Sequence, residues 1–237
     1  MKKSLFTLVI TFFLLGNVAA QETKDNEESK WQLSASADVV NSYVWRGLLY
    51  NDNLNIQPQL GVSKGAFFAG AWGSYATSGN YAEVDFYAGF AFSHVTLTVS
   101  DYFGAAGLGR LDHFNWDKDS TSHMLEGTIA YRISDDFPLT LTAATFFYGN
   151  DRDAEGDNYY STYIEARYPW QFKSYTGSFF IGGTPAEGLY AQEAGIVNLG
   201  CSVGKQLDFG NLQIPVAFEL ISNPKAEDIF FVCKVTL

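Results

Sequence analysis

Residues 81–90 read YAEVDFYAGF. Successive side chains of a strand point to opposite faces. Ala82, Val84, Phe86, Ala88 and Phe90 therefore share one side, and Tyr81, Glu83, Asp85, Tyr87 and Gly89 share the other. One face is wholly apolar; the other carries two carboxylates. A strand with lipid on one side and a watery lumen on the other needs that division.

The same period of two runs outward in both directions. Leu54, Ile56, Pro58, Leu60 and Val62 alternate with Asn55, Gln57, Gln59, Gly61 and Ser63. Val95, Leu97 and Val99 alternate with His94, Thr96, Thr98 and Ser100. Leu212, Ile214, Val216, Phe218 and Leu220 alternate with Gln213, Pro215, Ala217 and Glu219, and the last segment puts Ile229, Phe231, Cys233, Val235 and Leu237 on one side. Helix-period stripes are almost absent. About twelve such segments begin near residues 32, 54, 66, 81, 94, 123, 139, 159, 174, 195, 212 and 229. Their spacing of about 18 residues leaves room for spanning strands of roughly 9–11 residues.

The connections sort by length. Every second one is short, around 64–65, 91–93, 134–138, 169–173 and 205–211. The others, 47–53, 76–80, 104–122, 149–158, 184–194 and 222–228, are mostly longer or more polar. Short periplasmic turns opposite longer external loops are the pattern of outer-membrane barrels. A secreted β-sandwich also alternates along its strands, but its loops need not alternate in length, and this chain is long for one. The expectation is an all-β fold: a transmembrane antiparallel up-and-down β-barrel of about 12 strands over residues 31–237, with both termini on the periplasmic side.

The N-terminus agrees with export. Lys2 and Lys3 precede an apolar run from Leu5 to Leu15, and Val18-Ala19-Ala20 supplies small residues for cleavage. The run is too short to cross a bilayer as a helix, which takes about 20 residues. Residues 1–20 thus read as a signal peptide cleaved after Ala20. Gln21 follows where a lipoprotein would need Cys, and the polar stretch 21–30 reads as a flexible tail. Without Lys2 and Lys3, 13 of the 15 basic residues remain against 26 acidic ones. That balance excludes nucleic acid as a partner, which calls for basic patches. The expected location is the outer membrane of a Gram-negative bacterium, with lipid and small hydrophilic solutes as partners and the chain a monomer.

Carried through, the parity points Asp38, Arg46, Glu83, Asp85, Glu126, Arg132, Glu165, Arg167, Glu219 and Lys234 into the lumen. Arg or Lys on the lipid face at mid-depth would cost about 2–4 kcal/mol. The stretch 36–52, SADVVNSYVWRGLLYND, starts as a strand and then sets aromatics beside Arg46-Gly47. By the same parity Tyr43 and Trp45 face out at headgroup level, where amphipathic rings are favoured, with Arg46 inward at the mouth and Gly47 opening the first external loop. Asn41 falls on the lipid side, and a bulge there would repair the pattern. Tyr75, Phe147, Tyr160, Tyr168 and Tyr175 are further girdle candidates. Tyr87, Tyr148, Tyr163 and Phe180 are lumen aromatics on which a flat or ring-shaped solute could stack.

The segments SADVVNSYVWRGL, NIQPQLGVSKG and YAEVDFYAGF resemble the TorF-type porins, a family of outer-membrane barrels. The features shared are a first strand ending in an aromatic-Arg-Gly group, Trp45-Arg46-Gly47, and an acidic-aromatic strand from Glu83 to Gly89. The resemblance covers residues 33–103 best. It implies a barrel and passive transport, and carries no catalytic residues. The chain departs from such barrels in ending on Leu237 instead of an aromatic residue, although Phe231 keeps the outward parity.

Cys201 and Cys233 fall on strands separated by one other. Strands lie about 4.8 Å apart, which puts the two Cα atoms beyond the reach of a disulfide, about 7 Å. Two free, outward-facing cysteines are expected. His113 and His123 frame the longest loop with Asp112, Asp117 and Asp119, but their spacing matches no metal motif and a solvated loop is the reading. Ser122 and His123 are neighbours on opposite strand faces, and GAAGLG from Gly104 lacks the strand-to-helix context of a phosphate loop. No enzyme activity and no cofactor are expected. Two states of the lumen stay open: six acids and four bases paired into a plug, or a narrow, mildly acidic pore for small solutes or ions, acidic rings favouring cations. A channel specific for nucleoside- or sugar-like molecules, or a closed barrel with a surface-interaction role, are the alternatives.

Overall fold

The computed structural model describes residues 30–106 and 112–237. The leader expected over 1–20, and the tail expected over 21–30 except Lys30, lie outside the described residues, as do 107–111 within the longest loop. In chain order the strands are β1 (Gln32–Val40), β2 (Tyr43–Trp45), β3 (Leu48–Asn51), β4 (Asn55–Lys64), β5 (Phe67–Ala76), β6 (Tyr81–Ala91), β7 (Val95–Tyr102), β8 (Gly104–Ala106), β9 (Met124–Arg132), β10 (Thr140–Gly149), β11 (Thr162–Phe172), β12 (Tyr175–Thr184), β13 (Gly195–Asp208), β14 (Gln213–Asn223) and β15 (Asp228–Thr236).

All of these except β2 and β3 belong to one antiparallel sheet that closes on itself. Each strand pairs with the next along the chain, β5 pairs with β6, and β1 joins β15 through Asp38↔Thr236 and Val40↔Lys234. Ala37 and Leu237 exchange both backbone hydrogen bonds at that seam, at 3.1 and 2.9 Å. β8 prolongs β7 beyond Phe103 and returns to β6, so the ring has twelve positions. Closure leaves no free sheet edge.

The two faces divide as the alternation requires. Outward-pointing Leu60, Phe86, Val99, Ile129, Phe179, Leu220 and Phe231 are exposed around the ring. Such a belt far exceeds the few hundred Å² of apolar patch usual on a soluble monomer. Inward-pointing Gln57, Ser74, Glu83, Asp85, Glu126, Glu165, Glu219 and Lys234 are buried. Cys201 lies opposite Leu220 and Cys233 opposite Phe218, both across β14 on the outer face, and both thiols are free.

The first long connection departs from the sequence reading. β2 and β3 form a separate two-stranded hairpin, and it lies inside the barrel. Arg46 (φ 50) and Gly47 (φ 80) make its two-residue turn between paired Trp45 and Leu48. Positive φ at both central residues is the turn whose twist suits a tight hairpin. Tyr43 and Trp45 are thus interior residues, 2% and 4% exposed, and the girdle assignment for both is corrected. The parity failed because the chain leaves the barrel wall after Val40. Asn41 marks the departure, with no bulge: its side-chain amide donates to the Phe231 carbonyl at 3.0 Å and its Oδ1 accepts from the Cys233 amide at 2.6 Å. These bonds stand in for the ladder that β1 abandons.

Candidate functional site

The hairpin is apolar on both sides because both sides are covered. Tyr43 and Trp45 pack with Tyr81, Tyr102, Phe146, Tyr163, Tyr190 and Val197. Val44, from the opposite face, packs with Val40, Phe180, Ile221 and Val232. Ring centroids run from Tyr43 to Trp72 at 5.4 Å and to Tyr81 at 5.9 Å, and from Trp45 to Tyr102 at 5.3 Å and to Tyr190 at 5.9 Å. Contacts of this kind add about 0.5–1.5 kcal/mol each beyond area burial.

At the tip, Gly47 comes so close to the wall that a Cβ would lie 1.8 Å from the Val197 carbonyl oxygen. Its own carbonyl accepts from Asn223 Nδ2 at 3.1 Å. Arg46 crosses the lumen beside it. Its guanidinium donates to Glu126 at 2.5 and 3.0 Å and to the Tyr190 hydroxyl at 2.5 Å. It lies over the rings of Trp45 and Tyr163 at 4.4 and 4.7 Å. Glu126, 1% exposed, also accepts from Tyr102 Oη at 3.1 Å and Thr128 Oγ1 at 2.8 Å. A two-pronged guanidinium–carboxylate contact is directional as well as strong, so this pair fixes where the hairpin sits.

The other lumen candidates fall into smaller groups. Arg167 donates to Glu165 at 2.8 and 3.3 Å and to Ser178 Oγ at 3.0 Å, with Phe180 beneath its guanidinium at 4.3 Å. Glu165 also takes Tyr163 Oη at 2.7 Å. Asp38 meets Lys234 at 3.5 Å and Thr236 Oγ1 at 2.6 Å. Arg132 turns to Asp135 at a short connection, 2.6 Å away. Glu83 accepts from Tyr81 Oη at 2.7 Å, and Asp85 Oδ1 from the Phe103 amide at 3.2 Å. Glu219 is buried in the wall, with the charges of Arg167 and Lys234 beside it. Of the lumen aromatics, Tyr163 and Phe180 are buried, Tyr87 accepts from Gln59 Nε2 at 2.9 Å, and Tyr148 donates to the Trp116 carbonyl in the longest loop. The girdle candidates Tyr75, Phe147, Tyr168 and Tyr175 are exposed strand residues, and Tyr160 is exposed just before β11.

The loop 112–122 turns back onto the wall through His123. Nδ1 meets both Asp101 oxygens at 2.9 Å, Nε2 meets the His113 carbonyl at 3.1 Å, and Trp116 stacks on the ring at 3.8 Å. Beneath the hairpin a cavity of about 740 Å³, open solvent at its mouth included, is lined by residues 44–46 and by wall residues of β7 and β9–β14. Sequence parity missed the hairpin and Tyr190. The available signal was the Arg46-Gly47 pair between two apolar triplets, Tyr43-Val44-Trp45 and Leu48-Leu49-Tyr50.

A family model described as a bacterial protein of unknown function, Gcw_chp, matches residues 24–194. No curated protein matches. Among solved structures, the chain is similar to a KdgM porin at 9% identity (TM-score 0.47, covering 85% of this chain and 97% of that one). It is similar to the COG4313 outer membrane channel from Pseudomonas putida F1 at 12% identity (TM-score 0.40, 91% and 98%). A mutant of the Rh. blastica porin follows at 9% identity (TM-score 0.35, 88% and 99%). Likenesses this distant transfer nothing of those proteins' activities. The family match spans well over half of the chain, and the chain therefore belongs to the Gcw_chp family of bacterial proteins.

Proposed function

We propose that the protein is a monomeric outer-membrane channel, delivered by a leader cut after Ala20, that lets small hydrophilic solutes or ions diffuse through a lumen narrowed by the inward hairpin. The observation that carries this reading is the pairing of an exposed apolar belt with a polar interior that is constricted and yet keeps a cavity. Barrels of eight strands fill their own interior and barrels of sixteen leave an aqueous channel; twelve strands with an inserted hairpin make a narrow case. The lumen candidates number six acids against four bases, which favours cations mildly. The opening strands' resemblance to TorF-type porins agrees with passive transport.

The aromatic packing around Tyr43 and Trp45 favours one second reading, a barrel held closed by its hairpin. Swelling of liposomes holding the refolded chain 21–237 separates the two. Swelling with the smallest sugars and polyols that falls off with solute size supports the channel. A folded barrel that admits no solute overturns it in favour of the closed barrel.

A further inference from the structure

The longest loop meets the barrel wall from outside. One row of the ladder runs from Phe86 to Asp101, Leu125 and Tyr148. Residues directly opposite each other on neighbouring strands share a face, and Phe86 belongs to the outer belt, 55% exposed. Asp101 and Tyr148 therefore point out of the barrel. For Tyr148 the cause is the register shift after Phe146, which turns it away from the lumen side that simple alternation assigns to it. Phe103, two residues beyond Asp101, keeps the same outward parity, and its carbonyl accepts from the Val84 amide at 3.0 Å.

Loop 112–122 covers these outward groups. The His113 ring stacks on Phe103 at 3.8 Å, and the Trp116 ring stacks at 3.8 Å on His123, whose Nδ1 meets both Asp101 oxygens at 2.9 Å. Tyr148 Oη donates to the Trp116 carbonyl. Without this cover Asp101 would stand bare between Phe86 and Val99 in the apolar belt, and a charge facing hydrocarbon is costly. Residues 113–116 thus lie down the outside of the barrel and not across its mouth.

The side of the loop turned away from the wall is apolar where it is most prominent. Phe114 is 91% exposed and Trp116 47%, and Phe147 beside Tyr148 is 45% exposed. Phe114 is held in that position. Its amide donates to Asp112 Oδ1 at 3.1 Å, and the next residue, Asn115, is tied to the Ser120 carbonyl at 3.0 Å and to Thr121 Oγ1 at 2.6 Å. Exposed Asp112, Asp117 and Lys118 flank the rings. Aromatic rings beside polar groups are the composition favoured where hydrocarbon meets headgroups.

We propose that residues 112–118 form an anchor in the membrane interface, with Phe114 and Trp116 seated in the outer leaflet and the cluster of Asp101, His123, Phe103 and Tyr148 holding the loop down against the wall. The occupant is lipid because the rings continue the belt of Phe86, Val99 and Phe147. Two exposed rings on a loop fall far short of the area that a stable contact between two copies buries. The anchor needs the barrel in a bilayer and does not need an open lumen.

The test is spin labelling of Phe114→Cys in a Cys201→Ala/Cys233→Ala background, with the refolded chain 21–237 in dioleoylphosphatidylcholine vesicles. Oxygen, which partitions into lipid, should relax the label more strongly than a water-soluble nickel chelate does. A label at Glu155→Cys, on the exposed loop 150–158, should show the reverse order. Adding His123→Ala should move the label at 114 to the aqueous order while the barrel's circular dichroism stays unchanged. As a check in the chain with its own cysteines, the emission added by Phe114→Trp should be quenched by lipids brominated on their acyl chains and spared by aqueous iodide. An aqueous reading at 114 in a folded barrel overturns the anchor. Shielding from both reagents, with dipolar broadening between labels, overturns it in favour of a second copy, and a lipid reading that survives His123→Ala overturns the role given to the wall cluster. Depth is read without conduction, so a silent barrel with Phe114 in lipid refutes the channel alone, and a conducting one with Phe114 in water refutes the anchor alone.

Discussion

Replacing Glu126 by alanine leaves the Arg46 guanidinium in the lumen with one hydrogen-bond acceptor, Tyr190 Oη, in place of three. Glu126 is 1% exposed and the Arg46 side chain 13%, so the pair is largely withdrawn from solvent. Removing one partner of a buried pair costs about 3–5 kcal/mol, because the remaining charge is uncompensated. That penalty falls on the docked hairpin. In the undocked state Arg46 reaches water, and the barrel ladder, which β2 and β3 do not join, stays intact. At about 1.4 kcal/mol per decade, docking weakens by roughly 10² to 4 × 10³-fold. Single-channel recording should then show larger or longer open steps for Glu126→Ala than for the wild type. The double variant Arg46→Ala/Glu126→Ala removes both charges and should release the hairpin less than Glu126→Ala does, since neighbouring residues are not additive. Traces for Glu126→Ala that match the wild type in a correctly folded barrel would refute the hairpin as the constriction.

Four other outcomes follow from the same geometry. Gly47→Ala places a Cβ 1.8 Å from the Val197 oxygen at a φ of 80°, so it should undock the hairpin as well, seen as new protease cleavage within 41–54. Phe86→Arg on the outer face of β6 should lose about 2–4 kcal/mol of folding stability in lipid vesicles, while Tyr87→Arg on the inner face should lose far less, read by denaturant titration. His123→Ala removes the contacts to Asp101, His113 and Trp116 and should expose loop 112–122 to protease without changing the barrel's circular dichroism. A hydrogen bond from Lys225 Nζ, 2.5 Å away, holds the Glu193 carboxyl below its usual range; its pKa is lower folded than unfolded, so the contact persists above the ordinary carboxylate value and is lost as pH falls through the depressed one, a step that NMR titration should show and Glu193→Gln should abolish.

The wall of the barrel was legible because each strand meets two unlike surroundings. Leu60, Phe86 and Phe231 had to alternate with polar neighbours, and the segments beginning near 54, 81 and 229 appear as β4, β6 and β15. The cysteines could be placed for the same reason, with β14 between them. The hairpin was opaque because a strand covered on both sides has no need of alternation: Tyr43, Val44 and Trp45 are all buried. Carrying the parity of β1 past Val40 sent two of them to the wrong face. Asn41 was the warning, a polar residue on an apolar face whose amide turns out to bind the backbone of β15. The partners of Arg46 were hidden for another reason. Glu126 and Tyr190 are distant in the chain, and their approach depends on the hairpin's depth in the lumen.

The most direct measurement is the current carried by the refolded chain 21–237 in a planar bilayer under a KCl gradient. The account predicts small discrete steps with a cation-selective reversal potential, weakened when Glu83 and Asp85 are replaced by Gln and Asn. A silent bilayer holding a correctly folded barrel, or an anion-selective reversal potential, would contradict it.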